Sequence, residues 1–286
     1  MPEIYFPHLG ISINELNRAA ITIGDFNVYW YGIIIASAIL LGYIGVGLTL
    51  KKQGRSLDEY TTYLIIVILV SILCARTYYV IFSWSYYSNY PMEILNFRNG
   101  GLGIYGGVLG AIITTIVYCK VTKKSFREMA DLFSPFLILG QAIGRWGNFF
   151  NKEAFGGITD TLFSMALRCD TIRYIPESLI GKTVNYFGTE YLQVHPTFFY
   201  ESMCSFVIFG YLIYKYHHKH FKGEVFYSYI ILYSFARFFI EGLRTDQLLI
   251  GNIPISQIVA TCLFLTGIIL YLKEKFANRK KDAKKV

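Results

Sequence analysis

The stretch VYWYGIIIASAILLGYIGVGLTL, residues 28–50, runs for 23 residues without a formal charge. As a helix rising about 1.5 Å per residue it is long enough to cross a hydrocarbon core of about 30 Å. The rest of the chain repeats the pattern. Further apolar stretches lie at about 60–82, 103–120, 129–149, 196–216, 225–243 and 254–272, so seven membrane helices are expected. Composition points the same way: 54% of the 286 residues are hydrophobic and only 16% charged, where soluble domains carry about 25% charged residues. Mean hydropathy is +0.41. The expected fold is an all-α polytopic membrane protein, a single integral membrane domain over residues 1–286. Segment 150–194, rich in Gly, Thr and Tyr, is too polar to span and too long for a link. It is expected to form a small extracytoplasmic subdomain between the fourth and fifth helices.

Charge assigns the sides. Segments 51–59, 120–128, 215–224 and 273–286 hold 17 Lys and Arg, whereas the longer alternate segments 1–27, 83–102, 150–194 and 244–253 hold 7. Basic loops stay in the cytoplasm, which places the N-terminus outside and the C-terminus inside. The net charge of +8 then reflects this bias and attraction to anionic lipid. Nucleic acid is not an expected partner, because the basic residues are divided among four short segments. Residues 1–16 lack a basic start and a long apolar run, so no cleavable signal peptide is expected. The five cysteines, Cys74, Cys119, Cys169, Cys204 and Cys262, have no CxxC or Cys/His spacing. Neither a disulfide framework nor a metal site is expected. Trp84, Tyr86, Tyr87 and Tyr90 read as an interfacial aromatic belt.

Three arginines fall inside apolar stretches: Arg76, Arg145 and Arg237. A charge at helix centre costs about 2.5–3.5 kcal/mol on insertion scales, so such residues face a partner or a watery cavity. Arg76 can snorkel to an interface or enter an internal ion pair. Arg145 and Arg237 keep more telling company. In GRWGNFFNKEAFGG, residues 144–157, Arg145 and Asn148 share a helical face, with Asn151 a turn further and Glu153 beyond it. Arg237, Glu241 and Arg244 stand at i, i+4 and i+7. Both arginines lie one to two turns below the outer surface, and other polar groups open their helices near that level. These are Tyr31 in YWYG, Tyr105 in GGLGIYGGVLG, and His195, Tyr200 and Glu201 in HPTFFYES. Gly106 and Gly110 form a small-residue face for close helix packing.

Two guanidiniums in a partly desolvated cavity bind phosphate oxygens bidentately. The ligand they imply is anionic, amphipathic and drawn from the outer leaflet: a phospholipid. The neighbouring Asn, Tyr, His and Glu side chains can orient a headgroup or move a proton. The residues alone therefore describe a membrane enzyme, or a lipid or anion transporter, handling a phosphate-bearing lipid.

The motifs carry a resemblance. Gly144, Arg145, Gly147, Asn148, Phe149, Asn151, Glu153 and Gly156 match a pattern similar to the signature of the prolipoprotein diacylglyceryl transferases. WYG at residues 30–32, the glycine-rich stretch 100–110, HPTFFYE at 195–201 and RFFIEGLR at 237–244 follow in the family's order. The resemblance implies transfer of the diacylglyceryl group of phosphatidylglycerol to the lipobox cysteine of a preprolipoprotein. That reaction belongs to the bacterial cytoplasmic membrane, with the site facing outward among membrane lipids and with no cofactor or metal. It implies Arg145 and Arg237 as leaving-group stabilisers, and Tyr31, Asn148, Asn151, Glu153, Gly156, Glu201, Glu241 and Arg244 as binding or supporting residues. Many family members carry His where this chain has Tyr105, a poor base at an ordinary pKa near 10, so either Tyr105 serves by hydrogen bonding, or His195 or Glu201 takes the proton, or no dedicated base is needed.

Overall fold

The computed structural model describes residues 1–97, 100–251 and 253–283. Arg98, Lys284 and Lys285, counted among the loop charges, lie outside the described residues. The chain divides into two compact units, residues 1–45 with 130–286, and residues 46–129.

Its helices are α1 (Trp30–Lys51), α2 (Asp58–Phe82), the one-turn α3 (Trp84–Tyr87), α4 (Ile104–Val121), α5 (Phe126–Asn151), α6 (Thr197–His217), α7 (Glu224–Leu243) and α8 (Ile255–Ala283). Among the described residues five of these, α1, α2, α4, α6 and α8, are long and apolar enough to cross a membrane. Large apolar side chains stand exposed along them, such as Leu40, Leu41, Ile65, Leu69 and Ile269. That arrangement is stable only in a solvent as apolar as the side chains themselves. In α5, by contrast, only Leu137 is exposed between Met129 and Lys152. α5, α6 and α7 turn polar residues inward, and they carry Arg145, Glu201, and Arg237 with Glu241.

The structure corrects the all-α expectation. Strands β1 (Ile4–Phe6), β2 (Ile11–Ile13), β5 (Met165–Arg168), β6 (Val184–Tyr186) and β7 (Thr189–Val194) form one antiparallel sheet in the order β2-β1-β5-β7-β6. Ile4 pairs with Leu167, and Leu167 with Leu192. Two of the five strands thus come from the N-terminal segment rather than from 150–194. The reason is burial: Ile4, Met165, Leu167, Leu192 and Val194 form one apolar face that packs on Phe149 of α5 and Phe198 of α6. Glu3, just before β1, fastens the N-terminal segment by accepting from Lys152 Nζ at 2.6 Å and from the Leu16 amide at 2.9 Å. Two small hairpins, β3 (Ala19–Ile23) with β4 (Phe26–Tyr29) and β8 (Leu249–Ile250) with β9 (Ile253–Pro254), lead directly into α1 and α8.

The N-terminal end of α7 is held by another helix. Asp131 of α5, 0% exposed, accepts from the amides of Gly223, Val225 and Phe226 at 2.9–3.0 Å and from Lys219 Nζ at 3.0 Å. A carboxylate here satisfies amides that the first turn cannot pair internally and complements the helix dipole.

In the second unit α2 packs on α4 where Gly106 lies against the backbone of Cys74 and Ala75. Arg76 is 4% exposed, so it does not snorkel, and among the described residues it joins no carboxylate. It donates to five carbonyls, those of Glu93, Ile94, Asn96, Gly100 and Gly101, at 2.6–3.0 Å. Its guanidinium also lies 5.2 Å from the Tyr87 ring centroid. Five carbonyl dipoles replace the missing anion, so Arg76 is the organiser of the loop that follows α3.

Candidate active site

α5 remains helical through Asn151, so Arg145, Asn148 and Asn151 rise along one side. Arg145 Nη1 lies 3.5 Å from Asn148 Oδ1, a long contact. Gly147 has no Cβ because the Tyr31 ring occupies that place; a Cβ there would stand 2.6 Å from Tyr31 Cδ2. After Asn151 the chain turns with Lys152 at φ 52° and Ala154 at φ 58°, a left-handed conformation that costs a side-chain-bearing residue about 1–2 kcal/mol. The turn directs Glu153 back along α5. Its Oε1 accepts from Asn148 Nδ2 and Asn151 Nδ2, both at 3.0 Å.

The centre of the site is Glu201, one turn into α6 and 3% exposed. Arg145 Nη2 donates to Oε1 at 2.6 Å and Arg237 Nη1 to Oε2 at 2.8 Å. Tyr233 OH donates to Oε1 at 3.2 Å. Glu241, one turn along α7, pairs with the other Nη of Arg237. The guanidinium side chains are 21% and 18% exposed, so both are largely withdrawn from solvent. Burying a charge requires a partner of opposite sign and satisfied hydrogen bonds. Two cations and two anions meet the charge requirement with no net charge, and Glu241 Oε2, buried and without a hydrogen bond among the described residues, is compensated by its ion pair with Arg237. The expected clamp therefore exists as a pair of arginines held together by a protein carboxylate. Each guanidinium carries five N–H donors, more than these contacts occupy, so donors remain for an incoming anion.

Tyr233 and Arg18 were not expected from the sequence. Tyr233 stacks on Tyr229, with centroids 5.8 Å apart and planes at 10°. Tyr229 in turn accepts from Gln141 Nε2 at 3.1 Å. The spacing 229, 233, 237, 241 puts all four side chains on one face of α7, a signal that was readable. Arg18, just before β3, donates from Nε to Asn151 Oδ1 at 2.6 Å. It lies 133 residues from its partner, and no local pattern could show that.

Other expected residues lie elsewhere. Arg244 does not continue the Arg237–Glu241 face. α7 ends at Leu243, Arg244 is extended (φ −76°, ψ 153°), and its guanidinium holds Asp246 through two bonds at 2.9 and 2.7 Å. Gly156 bridges to Arg244 and donates its amide to the His195 carbonyl at 2.9 Å. A Cβ at Gly156 would stand 2.7 Å from the Leu243 carbonyl oxygen, so close backbone approach excludes a side chain. His195 Nδ1 lies 3.4 Å from Tyr200 OH. Burial pushes its imidazole below the ordinary 6.5, which leaves it neutral at pH 7. Tyr105 belongs to the second unit, in the first turn of α4 with its ring 6.3 Å from that of Tyr78.

Fold and site define a polytopic, mostly helical membrane protein with a buried arginine–carboxylate centre. A family model described as prolipoprotein diacylglyceryl transferase matches residues 18–273. The chain belongs to that family, and it is a transferase. It is 41% identical over 265 residues to the phosphatidylglycerol–prolipoprotein diacylglyceryl transferase of Limosilactobacillus reuteri (strain DSM 20016), covering 92% of this chain and 93% of the relative. The like-named proteins of Bacillus cytotoxicus and Finegoldia magna are also 41% identical. They cover 91% and 94% of this chain, and 93% and 100% of the relatives.

Proposed function

We propose that this chain transfers the diacylglyceryl group of phosphatidylglycerol to the thiol of a lipobox cysteine in a preprolipoprotein, the first lipid attachment in lipoprotein maturation. The relatives' name supplies donor and acceptor. The observation that carries the reading is the convergence of Arg145 and Arg237 on Glu201. The acceptor sulfur, as thiolate, attacks the glyceryl carbon that bears the phosphate. A C–S bond forms, the C–O bond breaks with its electron pair left on the phosphate oxygen, and glycerol phosphate departs. The guanidiniums meet the charge that develops on that oxygen, in a site where water does not compete. Glu201 and Glu241 keep the arginines from separating. Asn148, Asn151, Glu153, Tyr31, Gly156 and Arg244 shape the headgroup side.

A free thiol has a pKa of about 8.5 and is a few per cent thiolate at pH 7, so its proton can pass to water without a dedicated base. Tyr105 acts by hydrogen bonding, and a neutral His195 serves mainly to hold the Gly156 turn. We further propose that α5 and α7 cross the membrane with the other five long helices. The positive loops then lie in the cytoplasm, and the sheet and arginine centre face outward from a bacterial cytoplasmic membrane. Purified protein, phosphatidylglycerol and a lipobox peptide provide the test. Glycerol phosphate release that requires the peptide thiol supports transfer, and equal release with a Cys→Ser peptide excludes it.

A further inference from the structure

Beside the arginine centre is a cavity of ≈ 300 Å³. Residues 151–155 at the end of α5 form its floor, Arg173, Tyr174 and Pro176 one wall, and Thr245 and Asp246 another. Its charges are unequally engaged. Glu153 holds the two asparagine amides, Asp246 holds Arg244, and Lys152 holds Glu3. Among the described residues the exposed Arg173 guanidinium and Tyr174 hydroxyl have no partner, nor have the backbone groups of residues 173–175 or the amides of Ala154 and Phe155. The wall is extended at both ends, with Ile172 at φ −86°, ψ 129° and Pro176 at φ −56°, ψ 141°.

The chain bends at Arg173 between these ends, and its free N–H and C=O groups can pair with the main chain of an extended peptide, as when a peptide adds to a sheet edge. An acyl chain offers nothing to such groups, and a small anion uses only the donors. The volume is at the lower end for small-ligand pockets and cannot hold two acyl chains. Asn151 and Glu153 belong both to the cavity floor and to the hydrogen-bonded series leading to Arg145. A chain lying here therefore leads into the transfer site. We propose that this cavity docks the acceptor polypeptide just after its reactive cysteine, main chain against residues 173–175, with Arg173 and Tyr174 closing over it. The inference rests on the transfer reaction proposed above.

The test compares two acceptor peptides, one ending at the cysteine amide and one extending six residues beyond it, with full-length enzyme in phosphatidylglycerol micelles. The longer peptide is expected to have about tenfold higher kcat/KM, the value of one or two added hydrogen bonds. Arg173→Ala with Tyr174→Ala removes the closing side chains and leaves the main chain, so it should reduce the longer peptide's advantage severalfold without changing the KM for phosphatidylglycerol. Both side chains are solvent-exposed, and Arg173→Glu with Tyr174 intact provides an independent second variant. A photoreactive residue three positions after the cysteine should cross-link to residues 173–176 or 245–246. If the length preference is undiminished in the variants, if only the lipid KM moves, or if the cross-link maps elsewhere, the docking site is wrong and the transfer reading stands. Absence of thiol-dependent transfer with either peptide overturns both.

Discussion

Arg145 and Glu201 meet across α5 and α6 with 2.6 Å between Nη2 and Oε1, and the second oxygen of the same carboxylate holds Arg237 at 2.8 Å. One buried anion thus fixes the separation of two cations. Arg145→Ala and Arg237→Ala should each lower kcat for glycerol phosphate release by about 10²-fold or more, the usual cost of losing a preorganised charge-stabilising donor. Arg→Lys should not restore the rate, since an ammonium cannot reach two oxygens in one plane. Glu201→Gln should lower both activity and thermal midpoint, because breaking one side of a buried ion pair costs about 3–5 kcal/mol. A Glu201→Gln enzyme of normal stability would sink the shared-anion account.

The glycines of the signature should not be equivalent. A Cβ on Gly144 would meet only Ile35 Cδ1 at 3.5 Å, whereas one on Gly147 would stand 2.6 Å from the Tyr31 ring. Gly144→Ala should be tolerated. Gly147→Ala should displace Tyr31 and lower activity by as much as about 10²-fold, as displacements near 1 Å do in active sites. Parallel activity and melting measurements on the two variants give the comparison, and equal behaviour would contradict the packing described.

Asp131 bears on stability alone. Its carboxylate takes three amides and Lys219 in a fully buried position. Asp131→Ala leaves those donors unpaired, at about 1–3 kcal/mol each for any that stay buried. The thermal midpoint should fall by several degrees while turnover per folded molecule is retained.

Glu3 should make the sheet sensitive to acid. Burial pushes its carboxyl up, but the Lys152 hydrogen bond, the Leu16 amide and the charges of Lys152 and Arg168 outweigh burial and hold it below the ordinary 4.5. A carboxyl lowered by folding contributes stability above its unfolded value and loses it as pH falls through the folded value. Local opening of β1 and β2, read as lost hydrogen-exchange protection relative to the intrinsic rate at each pH, should therefore increase below about pH 4.5. In Glu3→Gln it should already be high at pH 7, with no further acid step. Equal protection of the wild-type strands at pH 7 and pH 3.5 would exclude the anchor.

Much of the helical plan was legible because long uncharged runs have few other solutions. The arginines stood out because a charge in such a run needs a reason. What could not be read were relationships across distance. Arg18 meets Asn151, Ile4 meets Leu167, and five carbonyls gather on Arg76, each through chain reversals that leave no periodic trace. Glu201 was legible as a site residue but not as the shared counter-ion of both arginines, since its helix register alone does not show which neighbours it reaches. Tyr233 is within reach of the i, i+4 rule, but tyrosines are so common throughout the chain that its position carries little signal by itself.

The pairing of Ile4 with Leu167 also sets an order of events during synthesis. β1 emerges roughly 160 residues before its partner strand, which at about 5–20 residues per second is a delay of roughly 8–30 s. During that interval the strand's hydrogen-bonding edge stands open, and only the arrival of β5 and β7 closes it. Assembly of the sheet is thus a late checkpoint, reached only after the sequences of four long helices, α1, α2, α4 and α5, have been made and β5 and β7 have followed them, and the turn that aims Glu153 is tied down by the His195 carbonyl just after β7.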